Sequence, residues 1–231
     1  MSRKHAFTLA EILITLTVIG VVAALTIPTL LQNTNQAELK TALKRDFADL
    51  SQATNMIKND AGGTLVNAFR NGAGDTYDSE NLKNAFKSKL SYIKECNSTS
   101  TYGGGGTGTS AEGCWHLAYQ RWYLNGSPSP SNSMLPGLIL SNGILVAFSL
   151  EKSSCLEPAG NYTRCGNISF DVNGFKKPNT LGKDIFQVSL TENGLIPMGA
   201  QGYYDPSSDC NLSNTMGTNT GLGCAALYLY Q

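Results

Sequence analysis

Apolar positions crowd into the start of the chain. From Phe7 to Leu31 nearly every residue is hydrophobic or threonine, and Glu11 is the only ionisable side chain in the run. At 1.5 Å per residue such a segment is about 37 Å long as a helix, enough to cross a bilayer core of ~30 Å with some tilt. The pattern then changes. Leu39, Leu43, Phe47, Leu50, Thr54 and Ile57 recur at steps of three and four, whereas Lys40, Lys44, Arg45, Asp46 and Asp49 lie mostly off that stripe. One continuous helix from Phe7 to about Ala61 is expected, roughly 80 Å long, with Gly62-Gly63 as its breaker. A coiled-coil stalk is the competing reading of the stripe, but about three heptads are barely enough for one.

Beyond residue 63 the periodicity shortens. A loop and a short helix over Ser79 to Ile93, with Ser79 as N-cap, precede a glycine-rich loop containing Gly103 to Gly106. That loop has no Lys-Ser/Thr ending and no following helix, so it is not phosphate-binding. Leu138 to Ser141 and Ile144 to Phe148 flank Asn142-Gly143, a strong hairpin signal. Further strands are predicted over Ile168 to Val172, Ile185 to Leu190 and Leu195 to Pro197, and Ala225 to Tyr230 reads as a last edge strand. The expected class is α+β: a long N-terminal helix packed on a C-terminal antiparallel sheet of four to five strands. The expected organisation is a basic leader (1–6), an apolar helix (7–31), its amphipathic continuation (32–62) and a body (63–231).

Composition narrows the chemistry. Charged residues are only 15% of the chain and the formal net charge is zero, so bulk electrostatics does not point to nucleic acid. Removing the first six residues takes away Arg3 and Lys4, leaving a mildly acidic chain. The six cysteines all lie beyond residue 95 and none forms a C-x-x-C pair, which argues against a zinc ribbon or thioredoxin-like motif. An even number behind an export segment suggests disulfides. Sequential pairing, Cys96–Cys114, Cys155–Cys165 and Cys210–Cys224, is expected because each closes a short loop rich in Gly, Ser or Asn. Free buried thiols are the alternative.

Three descriptions compete for the N-terminal run. A secretory signal peptide has a shorter apolar core and a small-residue cut site, and here the run continues past Ala23-Ala24. A plain signal anchor fits the length but leaves Glu11 without a countercharge, at a cost of about 2.5–3.5 kcal/mol at membrane depth. The third rests on Ala6-Phe7-Thr8-Leu9-Ala10-Glu11 and on Pro28 near the end of the run. This segment resembles the type IV prepilin and type II secretion pseudopilin family, whose usual motif is Gly followed by Phe-Thr-Leu-Ile-Glu. Ala6 stands in place of that Gly and Ala10 in place of that Ile.

The resemblance implies cleavage between Ala6 and Phe7 by a membrane-embedded prepilin peptidase, followed by N-methylation of Phe7. It implies that Glu11 attracts the α-ammonium of a neighbouring subunit, and that Pro28 bends the helix. It also implies a lollipop-shaped subunit in the inner membrane, N-terminus cytoplasmic, that passes into a pilus or pseudopilus filament with other pilin subunits. Major pilin, minor pilin and pseudopilin remain open, with the large, disulfide-rich body favouring the last two.

Candidate sites in the body are few. Asp171, Asn173 and Asp184 gather oxygen ligands between two strands, which suits either calcium or a hydrogen-bonded Asx turn. His116 sits among Trp115, Tyr119, Trp122 and Tyr123, either an aromatic recognition surface or a packed helix with the imidazole at its edge. The alternative function is therefore a filament-tip module for DNA uptake, adhesion or export-substrate capture, although Lys176-Lys177 alone is too little for nucleic acid. With one histidine beyond the leader and no visible Ser-His-Asp or Cys-His set, an enzyme is not expected.

Overall fold

A computed structural model describes residues 8–66, 68–70, 78–97, 113–116, 120–129, 135–211 and 218–230. Two compact units divide the chain, Met1–Glu38 and Leu39–Gln231. Helix α1 (Leu9–Asp60) contributes to both, running unbroken through Pro28. Proline has no N–H to return to the carbonyl four residues earlier, so the ladder loses one bond there. In the first unit, threonines turn their hydroxyls back onto the helix. Thr15 donates to the Glu11 carbonyl at 2.9 Å, Thr17 to Leu13 at 2.7 Å and Thr26 to Val22 at 2.9 Å.

The second unit is built by the rest of α1, then α2 (Ser79–Lys87), β1 (Tyr92–Cys96), β2 (Arg121–Trp122), β3 (Pro128–Ser129), β4 (Gly137–Leu140), β5 (Leu145–Leu150), β6 (Glu157–Ala159), β7 (Tyr162–Arg164), β8 (Gly166–Asp171), β9 (Ile185–Thr191), β10 (Gly194–Pro197), α3 (Pro206–Asp209) and α4 (Cys224–Leu229). Six strands form one sheet in the order β1-β4-β5-β8-β9-β10, each neighbour antiparallel. The class is α+β, as the hydrophobic pattern indicates. Alternation along β5, β8 and β9 sends Val146, Phe148, Ile168, Phe170, Phe186 and Val188 into the main core with Leu43, Leu50, Ala53 and Ile57 of α1. The opposite face carries Leu145, Ala147 and Ile185, which pack under Trp115 and Leu181.

Four expectations are corrected. The sheet has six strands, because the chain over Tyr92–Cys96 is a strand pairing with β4 rather than the end of a helix. Helix α2 stops at Lys87, and its N-cap is Asp78, whose carboxylate accepts from the Glu80 N–H at 3.0 Å. Ser79 Oγ instead accepts from the Leu150 N–H at 3.0 Å, joining the helix to β5. The run Ala225 to Tyr230 is helical through Leu229 rather than a strand, since six apolar residues fit either period and Cys224, Ala225 and Tyr228 share one buried helical face. Asp46, expected off the apolar stripe, is fully buried, three residues from Leu43 and four from Leu50.

Polar side chains tie the pieces together. In the β9–β10 turn, the Glu192 carboxylate accepts from the Leu65 and Val66 N–H groups at 3.0 and 2.8 Å and from Thr64 Oγ1 at 2.6 Å. It thereby holds the chain leaving α1. The Asp209 carboxylate accepts from the Thr220 N–H and hydroxyl at 2.8 and 2.7 Å and from the Gly223 N–H at 2.8 Å. Disulfides join Cys96 to Cys114, Cys155 to Cys165 and Cys210 to Cys224.

Candidate functional site

Two places hold the candidate residues, the N-terminal turn of α1 and a buried polar cluster in the second unit. Ala6 and Phe7 lie outside the described residues, as do Tyr119 and Gly103 to Gly106. Glu11 lies within them. Its Oε2 accepts from both the Thr8 N–H and the Thr8 hydroxyl at 2.8 Å, while the Glu11 N–H donates back to Thr8 Oγ1 at 3.3 Å. This is a capping box, in which two otherwise orphaned helix donors are satisfied reciprocally. The spacing Thr-x-x-Glu announces it in sequence, a signal the assembly reading of Glu11 overlooked. From the same turn, Leu9–Pro28 forms a helix of 20 residues with mean hydropathy 2.3, long and apolar enough to cross a membrane.

A basic stretch, a carboxylate on the first helical turn and an uninterrupted apolar span thus succeed one another within thirty residues. Residues 1–27 match the family profile described as the prokaryotic N-terminal methylation motif. The N-terminus is a prepilin-type cleavage and methylation segment. No curated protein and no solved structure matches the chain. This prepilin segment supports a type IV pilin-like or pseudopilin precursor, fits a membrane anchor in the apolar N-terminal helix, and points to a structural subunit.

The second place is the polar cluster under Trp115. His116 is buried, and its Nε2 lies 2.7 Å from Asp171 Oδ2. It is not at the edge of a helix. Residues 113–116 form a turn tied by Cys114 to β1, and the imidazole packs edge-on against Trp115 and Phe175. Asp171 Oδ1 accepts from the Asn173 N–H at 3.0 Å, an Asx turn. Asp184 Oδ1 accepts from the Thr180 N–H at 2.6 Å, and Oδ2 accepts from the Asn179 N–H at 2.7 Å and from Asn173 Nδ2 at 3.2 Å. The structure thus brings Asp171, Asn173 and Asp184 together, with all four carboxylate oxygens engaged by protein donors or by His116. Arg121, also buried, lies near Trp115 with its guanidinium 5.7 Å from the ring.

Burial governs the charges here. It pushes Asp171 up to about 8 against the opposing Asn173 and Gly174 N–H bonds, and pushes His116 down to about 4. The pair therefore holds one shared proton at neutral pH and is uncharged overall. Burial, then the neighbouring Asp171, raises Asp184 to about 6, and burial lowers Arg121 to about 10. Asp46, desolvated beneath the β4–β5 hairpin, is likewise raised to about 6, offset in part by Arg45.

These shifts fix a pH dependence. Each raised carboxyl binds more proton folded than unfolded, between its ordinary pKa and the raised value. Its contribution to stability is thus present at low pH and lost as pH rises from about 4 to 6 for Asp46 and Asp184, and to about 8 for Asp171. The depressed His116 acts oppositely between 6.5 and about 4 but is one group against three. Thermal melts are expected to show a higher Tm at pH 5 than at pH 8, with Asp46→Asn flattening the slope. A Tm that rises toward pH 8 would contradict these assignments.

Among the described residues no group of three or more His, Cys, Asp or Glu side chains is arranged to hold a metal ion. A calcium ion at Asp171, Asn173 and Asp184 would have to compete with the hydrogen bonds above. Millimolar calcium, compared with a chelator, is expected to leave Tm unchanged. A saturable rise, abolished by Asp184→Asn, would instead assign a calcium site.

Proposed function

We propose that this chain is a subunit of a type IV pilus-like or type II secretion filament, a minor pilin or pseudopilin. Prepilin peptidase cuts between Ala6 and Phe7, and Phe7 is N-methylated. The observation that carries this reading is Glu11 on the first turn of an apolar helix inside the methylation motif. The leader, with Arg3 and Lys4, stays cytoplasmic by the positive-inside rule, and the disulfide-bonded body lies across the inner membrane. On assembly the apolar helix leaves lipid for the filament core, where Glu11 meets the α-ammonium of a neighbouring Phe7. Pro28 leaves the helix locally less constrained, which lets neighbouring helices pack closely.

The role is tested by fractionating cells that express the tagged chain. The processed form should co-purify with sheared filaments at low abundance relative to a major subunit, or remain with an envelope-bound short filament. Recovery solely as free membrane protein in cells making filaments, even with the leader removed, would contradict it.

A further inference from the structure

Strand β2 carries a side chain whose bonding is unfinished. Arg121 is 3% exposed, and no acceptor among the described residues reaches its Nε–H or its Nη2–H groups. These two nitrogens form one edge of the guanidinium, the edge that pairs with two oxygens at once. Ser129 stands opposite Arg121 in the β2–β3 register, so the two side chains share a face. Ser129 is 1% exposed, and its hydroxyl is likewise without a partner among the described residues. Trp122 and Pro128, which alternate with them, lie on the other face and are exposed. The unbonded donors of both residues therefore occupy the buried face of this two-stranded ribbon.

Charge makes the arrangement more costly. Burial lowers Arg121 only to about 10, so it is cationic at neutral pH. The neighbouring carboxyls are committed elsewhere. Asp171 Oδ2 pairs with His116 and Oδ1 accepts from the Asn173 N–H, and that His–Asp pair is uncharged overall. Asp184 accepts from Asn173, Asn179 and Thr180. The Trp115 ring, 5.7 Å away, offers the guanidinium a π-face but no oxygen acceptor. A buried charge without a hydrogen-bonded counterion is among the costliest features of a fold, and a water would accept one N–H without offsetting it.

We propose that Arg121 and Ser129 bind a small monocarboxylate, of formate or acetate size, on the buried face of the β2–β3 ribbon. Two carboxylate oxygens match the Nε–H and Nη2–H pair, and one negative charge offsets one guanidinium. The Ser129 hydroxyl donates to the same carboxylate. Small size follows from the surroundings, since Arg121 lies beside Trp115, which packs on Leu145, Ala147, Leu181 and Ile185. Chloride would offer a single atom to two donors and is the poorer fit. The inference is independent of filament assembly, because both residues lie within the second unit.

The test melts the full chain in neutral detergent, in a low-salt zwitterionic buffer at neutral pH titrated with sodium formate or with sodium chloride. Formate should raise Tm saturably, by about 3 °C or more at about tenfold its half-saturating concentration. Arg121→Met should abolish that rise. Ser129→Ala should increase the half-saturating concentration by about fivefold, as loss of one hydrogen bond does. Arg121→Met removes a buried side chain and can unfold the chain, so isotope-labelled formate followed by NMR reads binding directly. Its line should broaden with the unaltered chain and sharpen towards the free width with Ser129→Ala. No saturable rise with formate, an equal rise with chloride, or formate binding indifferent to both variants would each overturn the proposal.

Discussion

Replacing Glu11 with Gln is expected to leave leader removal intact and to abolish incorporation into filaments. The substitution separates two roles that coincide at this residue. Gln at the third helical position keeps the capping box with Thr8, because its amide oxygen still accepts from the Thr8 N–H. It removes the charge that, in the proposed assembly, answers the α-ammonium of the next subunit. An unpaired charge at membrane depth costs about 2.5–3.5 kcal/mol, so the association step should weaken by about a hundredfold. Glu11→Ala loses both functions and should also fray the helix start. Immunoblots of sheared filaments and of whole cells read both steps. If Gln assembles normally and Ala does not, Glu11 acts as a helix cap, and the charge-pairing role is wrong.

A second large effect is expected from Asp209. Its side chain is buried at the end of α3 and accepts from two backbone N–H groups and one hydroxyl across the loop closed by Cys210–Cys224. Alanine would leave those donors without acceptors, at about 1–3 kcal/mol for each buried donor. A total of about 3–5 kcal/mol is a large share of the 5–15 typical of a folded domain. Circular dichroism should show Tm lower by about 10 °C, with Asp209→Asn intermediate because one acceptor remains. An unchanged Tm would mean the disulfide alone holds the loop.

The two residues differ in how far sequence reveals them. Glu11 is conspicuous because it is the only charge in an apolar run, and the cost of that charge demands a partner wherever the chain folds. Asp209 has no such contrast. Its partners lie 11 and 14 residues away, in a Gly- and Asn-rich stretch without periodicity, so only the folded loop shows what it holds. The hairpin at Asn142-Gly143 and the strands after it are legible because alternation and turn chemistry agree. Ala225 to Tyr230 is not, since a short apolar run carries no period of its own and tertiary packing decides it. Asp46 escapes the stripe reading for a related reason. Charge marks it as solvent-facing, yet helical spacing from Leu43 and Leu50 places it against the sheet.

His116 shows the same limit at the buried cluster. Of the aromatic neighbours that suggested a helix edge, Trp115 comes from a turn pinned by Cys114 and Trp122 from the strand β2, and Asp171, the hydrogen-bond partner of His116, is 55 residues away. Arg121 and Asp184 complete the cluster from two further segments. Long-range pairing of this kind leaves no spacing signal.

The most direct test of the account is the mass of the N-terminal peptide from chain expressed with a prepilin peptidase. A peptide beginning at Phe7 and carrying one methyl group on its amine is the predicted result. An intact Met1, or a new terminus near Ala24, would contradict it.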